Sequence, residues 1–202
     1  MSHRTLVVAA VFAAGLVAPL TARAADTYEI DGAHASVQFS VRHMMISNVR
    51  GEFTKVSGTA TGDPGQPTAT TVEATIDAAS IDTRNAKRDE HLRGPEFLDT
   101  AKFPTIGFTS TKVEKAGEGW KLTGNLTLHG VTKPVVLDVT NVTPPVKDPW
   151  GNTRIGAQAA TKLNRRDFGI VFNKALDGGG VLVGDEIAVT IDVEVMKKGG
   201  AK

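Results

Sequence analysis

The sequence predicts an all-β fold, an extended antiparallel barrel of about eight strands with one short helix in a crossover. Three observations predict it. Apolar residues recur with period two in the segments after residue 35, turn residues punctuate those segments, and a single long stretch breaks the alternation.

The first element is a leader. Arg4 precedes an apolar run from Leu6 to Val17, and Ala22 and Ala24 flank Arg23 in the small-x-small pattern of a cleavage site. The run is too short to cross a bilayer and stops before Pro19. Residues 1–24 are therefore expected to be a cleaved signal peptide, leaving a domain over 25–202 in the periplasm.

The strands follow. Val37, Phe39 and Val41 alternate with Ser36, Gln38, Ser40 and Arg42, which sets a strand near 35–42, and a second is expected near 49–62. Val72, Ala74 and Ile76 alternate with Thr71, Glu73, Thr75 and Asp77 near 70–79. Segments 105–115, 119–129 and 132–143 come next, with Leu122, Leu126 and Leu128 on one face of the middle one and Val135, Leu137 and Val139 on one face of the last. The last two strands are expected near 153–166 and 183–196, where Ile187, Val189, Ile191, Val193 and Val195 alternate with Ala188, Thr190, Asp192 and Glu194. Turn signals such as Gly62-Asp63-Pro64-Gly65, Gly117-Glu118-Gly119, Pro144-Pro145 and Gly178-Gly179-Gly180 separate them.

Residues 82–99 are charged, with helical spacing, and predict the helix, capped by Asp82 or Thr83 and ended by Gly94-Pro95. Residues 43–48 suggest a second, short helical turn.

Composition excludes several functions. The mature chain has no cysteine, hence no disulfide scaffold, thiolate metal site or cysteine nucleophile. Without Arg4 and Arg23, 21 Lys and Arg face 22 acidic residues, so nothing marks a nucleic-acid partner. No segment of the mature chain suits stable membrane insertion. His34, His43, His91 and His129 show no metal-ligand spacing, and no metal or cofactor is expected. Asp167-Phe168-Gly169 copies a kinase triplet without its context, and the sequons at Asn125 and Asn141 fall in predicted strands.

Several blocks resemble the YceI-like proteins across the whole mature chain. They are Asp31-x-x-His34 through His43-Met44, Val49-Arg50-Gly51-x-Phe53, Ser80-Ile81-Asp82-Thr83, Arg88-Asp89-x-His91-Leu92, Leu126-Thr127-Leu128-His129-Gly130 through Val135, Asn164-Arg165-x-Asp167-Phe168-Gly169 and Val183-Gly184-Asp185. Leu98 departs from the usual second aromatic after Phe97. The resemblance implies a lipocalin-like barrel that binds polyisoprenoid or a similar amphiphilic lipid in its interior.

On that reading the wall is expected to comprise Phe39, Val41, Met44, Met45, Phe53, Ile76, Leu92, Phe97, Phe103, Ile106, Phe108, Leu126, Leu137, Phe168 and Ile170. Taken singly, the same side chains would more ordinarily just fill the barrel, since interiors pack densely. His43, Arg50, Asp89, Arg165 and Asp167 are expected at the mouth. Arg165 shares parity with Ile155, Ala157 and Leu163 and should point inward, either to a lipid head group or to an ion pair with Asp167 or Asp89. The expected function is a non-enzymatic carrier of a long-chain isoprenoid or fatty lipid. The alternatives are an enzyme acting on a lipid head group through Asp89, His91 and Asp167, and a protein-binding barrel with a filled interior. A homodimer is left open.

Overall fold

The structure, a computed structural model, describes residues 25–199; the leader expected at 1–24 lies outside them. In chain order the elements are β1 (Asp26–His43), β2 (Ser47–Phe53), β3 (Val56–Gly62), β4 (Thr71–Asp77), β5 (Ile81–Asp82), α1 (Ala86–Arg93), β6 (Thr105–Ala116), β7 (Gly119–Leu128), β8 (Val131–Thr140), β9 (Val146–Lys147), β10 (Thr153–Asn164) and β11 (Val183–Lys197).

Eight of these strands close a ring. Its order is β1-β3-β4-β6-β7-β8-β10-β11, and β11 returns to β1 in an antiparallel pairing that runs from Tyr28↔Lys197 to His43↔Val183. Closure removes the exposed edges that an open sheet would present.

β1 is longer than its alternation suggests. It starts at Asp26, and a register shift between Ile30 and Ala35 takes Asp31–His34 out of the pairing with β11, which is why the period is lost there. The single strand expected over 49–62 is two. β2 pairs with Val37–His43 and β3 with Asp26–Glu29, along the same edge of β1, and the chain breaks step at Thr54 and Lys55.

The helix begins later than expected. Asn85, not Asp82 or Thr83, is its cap, its side chain accepting from the Arg88 N–H at 3.0 Å. Asp82 instead accepts from the Arg84 N–H at 2.6 Å, and Arg84 has a left-handed φ of 61°, so the chain turns once more before the helix. Gly94 ends it, as expected. The 43–48 segment is no right-handed turn but the β1–β2 hairpin, with Met44 and Met45 both at positive φ.

The segment between β4 and β6 fills the wedge beside β2. Its Ile81, Phe97 and Leu98 form a buried core with Ile170 from beyond β10, and Phe39, Phe53, Leu92, Leu128 and Phe172 pack around them. Arg93 fastens the helix down, donating from Nε to the Ala79 carbonyl and from Nη2 to the Ile81 carbonyl, both at 2.7 Å.

Candidate binding cavity

The inward side chains of the ring do not meet at its axis. They enclose a cavity of about 940 Å³, at the upper end of what small-molecule sites occupy. Small residues leave the room: Ala60, Ala74 and Ala157 stand on the wall among Ile76, Phe108, Leu122, Val139 and Ile191.

The cavity has two unlike ends. One is where β1 finishes beside the start of β11 and α1 packs over β5; Arg42, His43, Arg88, His91, Arg165 and Lys174 reach the wall there. At the other, β3 finishes and β7 begins, and the wall is Pro64, Pro67, Trp120, Pro144 and Pro145.

Thirteen of the residues expected from the sequence line this space: Phe39, Val41, His43, Phe53, Ile76, Leu92, Phe97, Ile106, Phe108, Leu126, Leu137, Arg165 and Ile170. Seven do not. Met44 and Met45 sit in the hairpin turn and face outward. Arg50 is on the outer face of β2, its parity opposite to Val49 and Phe53. Asp89 is buried beneath α1, where its Oδ1 accepts from both the N–H and the hydroxyl of Thr83. Phe103 packs outside the ring on His129, ring centres 4.8 Å apart. Asp167 is exposed on the short turn after β10, and Phe168 is buried in that turn with its carbonyl 3.1 Å from His129 Nδ1.

Arg165 is only 3 % exposed and is held within the protein. Its Nε donates to the Gly184 carbonyl at 2.9 Å, Nη1 to the Ile170 carbonyl at 2.7 Å, and Nη2 to the Val183 carbonyl at 3.2 Å and Asp185 Oδ1 at 2.8 Å. Its acidic partner is therefore Asp185, neither Asp167 nor Asp89. Burial pulls the guanidinium below the usual arginine value; the Asp185 charge opposes this and Arg166 adds to it.

His91 is tied in a different way. Its Nε2 is 2.6 Å from Glu96 Oε2, and its ring meets Phe97 and Phe172 edge-on at 5.0 and 5.3 Å. Asp89, His91 and Asp167, the acid–base set considered above, thus face three different surroundings.

One polar cluster was not anticipated from the sequence. Outside the barrel, Arg154 Nη1 donates to Asp31 Oδ2 at 2.6 Å and Glu194 Oε2 at 3.1 Å, while Nε donates to Asp148 Oδ2 at 2.9 Å. Asp31, His34 and Glu194 bring ligand atoms within 4.8 Å of one another. Arg154 already supplies the positive charge that those carboxylates share, so the cluster reads as an ion-pair hub. Hydrogen bonds from Arg154 and then His34 hold Asp31 at about 2. Only the outward parity of Arg154 on β10 hints at it in the sequence.

The sequence profile of the YceI-like domain matches residues 28–195. The chain belongs to the YceI-like family. It is similar to protein YceI of Salmonella newport, 47% identical over 148 residues that cover 72% of this chain and 77% of that protein. Among solved structures, Campylobacter jejuni YceI is 34% identical and superposes with a TM-score of 0.66, covering 77% of this chain and 89% of that one. A polyisoprenoid binding domain from Saccharophagus degradans shares the fold at 17% identity, with a TM-score of 0.60 over 84% of this chain and 98% of that one. The family and the closed eight-stranded barrel expected from the sequence are thus both found.

Proposed function

We propose that this YceI-like protein is exported to the periplasm and works there as a carrier or reservoir for a long isoprenoid lipid, without catalysing a reaction on it. The cavity carries the reading. A volume of about 940 Å³ walled by aliphatic and aromatic side chains suits a hydrocarbon chain, because each buried CH₂ gains about 0.8 kcal/mol and needs no directional partner. The name of the Saccharophagus domain, which has the same fold, makes polyisoprenoids the first class to test.

The charged end suits a polar head group. An apolar tail lies along the wall of Ile76, Phe108, Leu126, Leu137 and Ile191, while the head faces Arg42, His43, Arg88, His91 and Lys174. Arg165 spends its donors on three carbonyls and Asp185 and acts as a brace for that end.

The test is to purify the mature protein from periplasmic extract, extract it with organic solvent and identify the released material by mass spectrometry. A polyprenyl compound near one equivalent per chain is expected. An extract free of any long-chain lipid, from protein that also takes up none in vitro, defeats the carrier reading.

A further inference from the structure

The β1–β2 hairpin breaks a local rule. His43 O accepts from the Ile46 N–H at 3.1 Å, and the two central residues, Met44 and Met45, have φ of 49° and 62°. That is the turn geometry for which Asn and Gly are preferred, since both central residues must be left-handed. Two long unbranched side chains are held there instead, at a cost in backbone strain.

Neither methionine enters the cavity. Met45 is 51% exposed and Ile46 beside it 75%, and Val181 on the neighbouring loop is exposed as well. The two segments are joined, Met44 N–H donating to the Leu182 carbonyl at 2.8 Å. Together they make an apolar lip.

The lip stands at the charged end of the cavity. Arg42 and Lys174 adjoin it, are exposed, and reach the cavity wall as well. Arg42, Arg50 and Lys174 form no ion pair with any described residue. Asp177 is the only carboxylate within residues 44–48 and 174–182.

From this geometry we infer that the lip docks the protein onto an anionic phospholipid bilayer, Met44, Met45, Ile46 and Val181 entering the interface while Arg42, Arg50 and Lys174 meet the lipid phosphates. Cations around a small apolar projection complement such a surface in both charge and polarity. The docked orientation brings the head-group end of the cavity against the membrane that supplies the lipid. The inference rests on the carrier reading for its purpose but concerns a different surface, so the two fail separately.

The experiment is flotation of the mature protein with vesicles of phosphatidylcholine alone and of phosphatidylcholine with phosphatidylglycerol, both free of isoprenoid. Uptake of a fluorescent polyprenyl analogue from detergent is measured alongside. The wild type is expected to float with the phosphatidylglycerol vesicles, more weakly as salt rises. Met45→Glu/Ile46→Glu is expected to lower that partition by about tenfold or more with uptake from detergent unchanged.

Trp150, 76% exposed at the far end of the barrel, provides the control. Trp150→Glu is expected to float like the wild type. The inference is overturned if the wild type stays with the soluble fraction, if the double variant still floats, or if Trp150→Glu alone abolishes binding. A wild-type dimer that dissociates in the double variant overturns it too, since the lip would then be a contact between copies. Loss of analogue uptake by every form, with flotation intact, defeats the carrier and leaves the docking surface standing.

Discussion

Arg154 Nη1 lies 2.6 Å from Asp31 Oδ2 and so joins β10 to the bulged stretch of β1 across 123 residues of chain. The contact makes the fold sensitive to acid. Asp31 is held at about 2, below the ordinary carboxylate value of 3.8. Asp148 is likewise near 2: its burial would raise it, but hydrogen bonds from Asn152 and Arg154 outweigh that. A carboxylate with a lowered folded-state pKa stabilises the fold fully above its unfolded value and ceases to do so as pH falls through the folded one. Urea midpoints should therefore drop between about pH 4 and pH 2. Asp31→Asn should flatten that slope, and an equally steep decline in the variant would show that the hub does not govern it.

Arg165 makes a second prediction. Arg165→Leu leaves the Gly184, Ile170 and Val183 carbonyls without their donor and should destabilise the protein by about 3 kcal/mol or more. Arg165→Lys should recover only part of this, because an ammonium cannot serve four acceptors in the planar arrangement of a guanidinium. Equilibrium urea unfolding measures both; a Leu variant as stable as the wild type would contradict the bracing role.

The strained hairpin yields the opposite sign. Met44→Asn/Met45→Gly should raise stability by about 1 kcal/mol, as the turn gains residues suited to positive φ. Thermal unfolding reads it directly, and a lowered midpoint would mean that the methionines contribute packing beyond what their exposure shows.

Much of the fold was legible because a barrel imposes one simple rule. Each ring strand has one face on the apolar interior, so Val37, Phe39 and Val41, or Ile187 through Val195, display period two. The rule fails where the chain leaves the ladder. The Asp31–His34 bulge hid half of β1, and the break at Thr54 and Lys55 hid the division of β2 from β3. β5 and β9, two residues each, carry too little pattern to be seen.

The site was legible in kind and less so in detail. Parity placed Ile76, Leu126 and Leu137 on the inner face, and it pointed Arg165 inward. It could not choose Asp185 over Asp167, because the choice is made when β11 closes against β10. Met44, Met45 and Phe103 were misplaced because apolarity alone does not distinguish a wall residue from one in a turn or on the outside. Nor does it distinguish a lined cavity from a filled one; Ala60, Ala74 and Ala157 decide that through their size.

Filling the cavity should separate binding from stability. Ala157→Phe puts a ring into the space beside Ile191 and Val193, with room to receive it. Unfolding should shift by less than about 1.5 kcal/mol, while affinity for a long-chain ligand falls by about tenfold or more, the loss expected when two or so methylene contacts are denied. Fluorescence titration with a polyprenyl analogue checks it, and unchanged affinity would place the ligand elsewhere.

The most direct test of the central claim is calorimetric titration of delipidated protein with polyprenyl alcohols of increasing chain length. If the tail binds inside the barrel, affinity rises with each added isoprene unit until the chain fills the space of about 940 Å³ and then levels off, with a negative heat-capacity change throughout the rise. Affinity that ignores chain length, or that is as strong for the head group alone, would contradict the account.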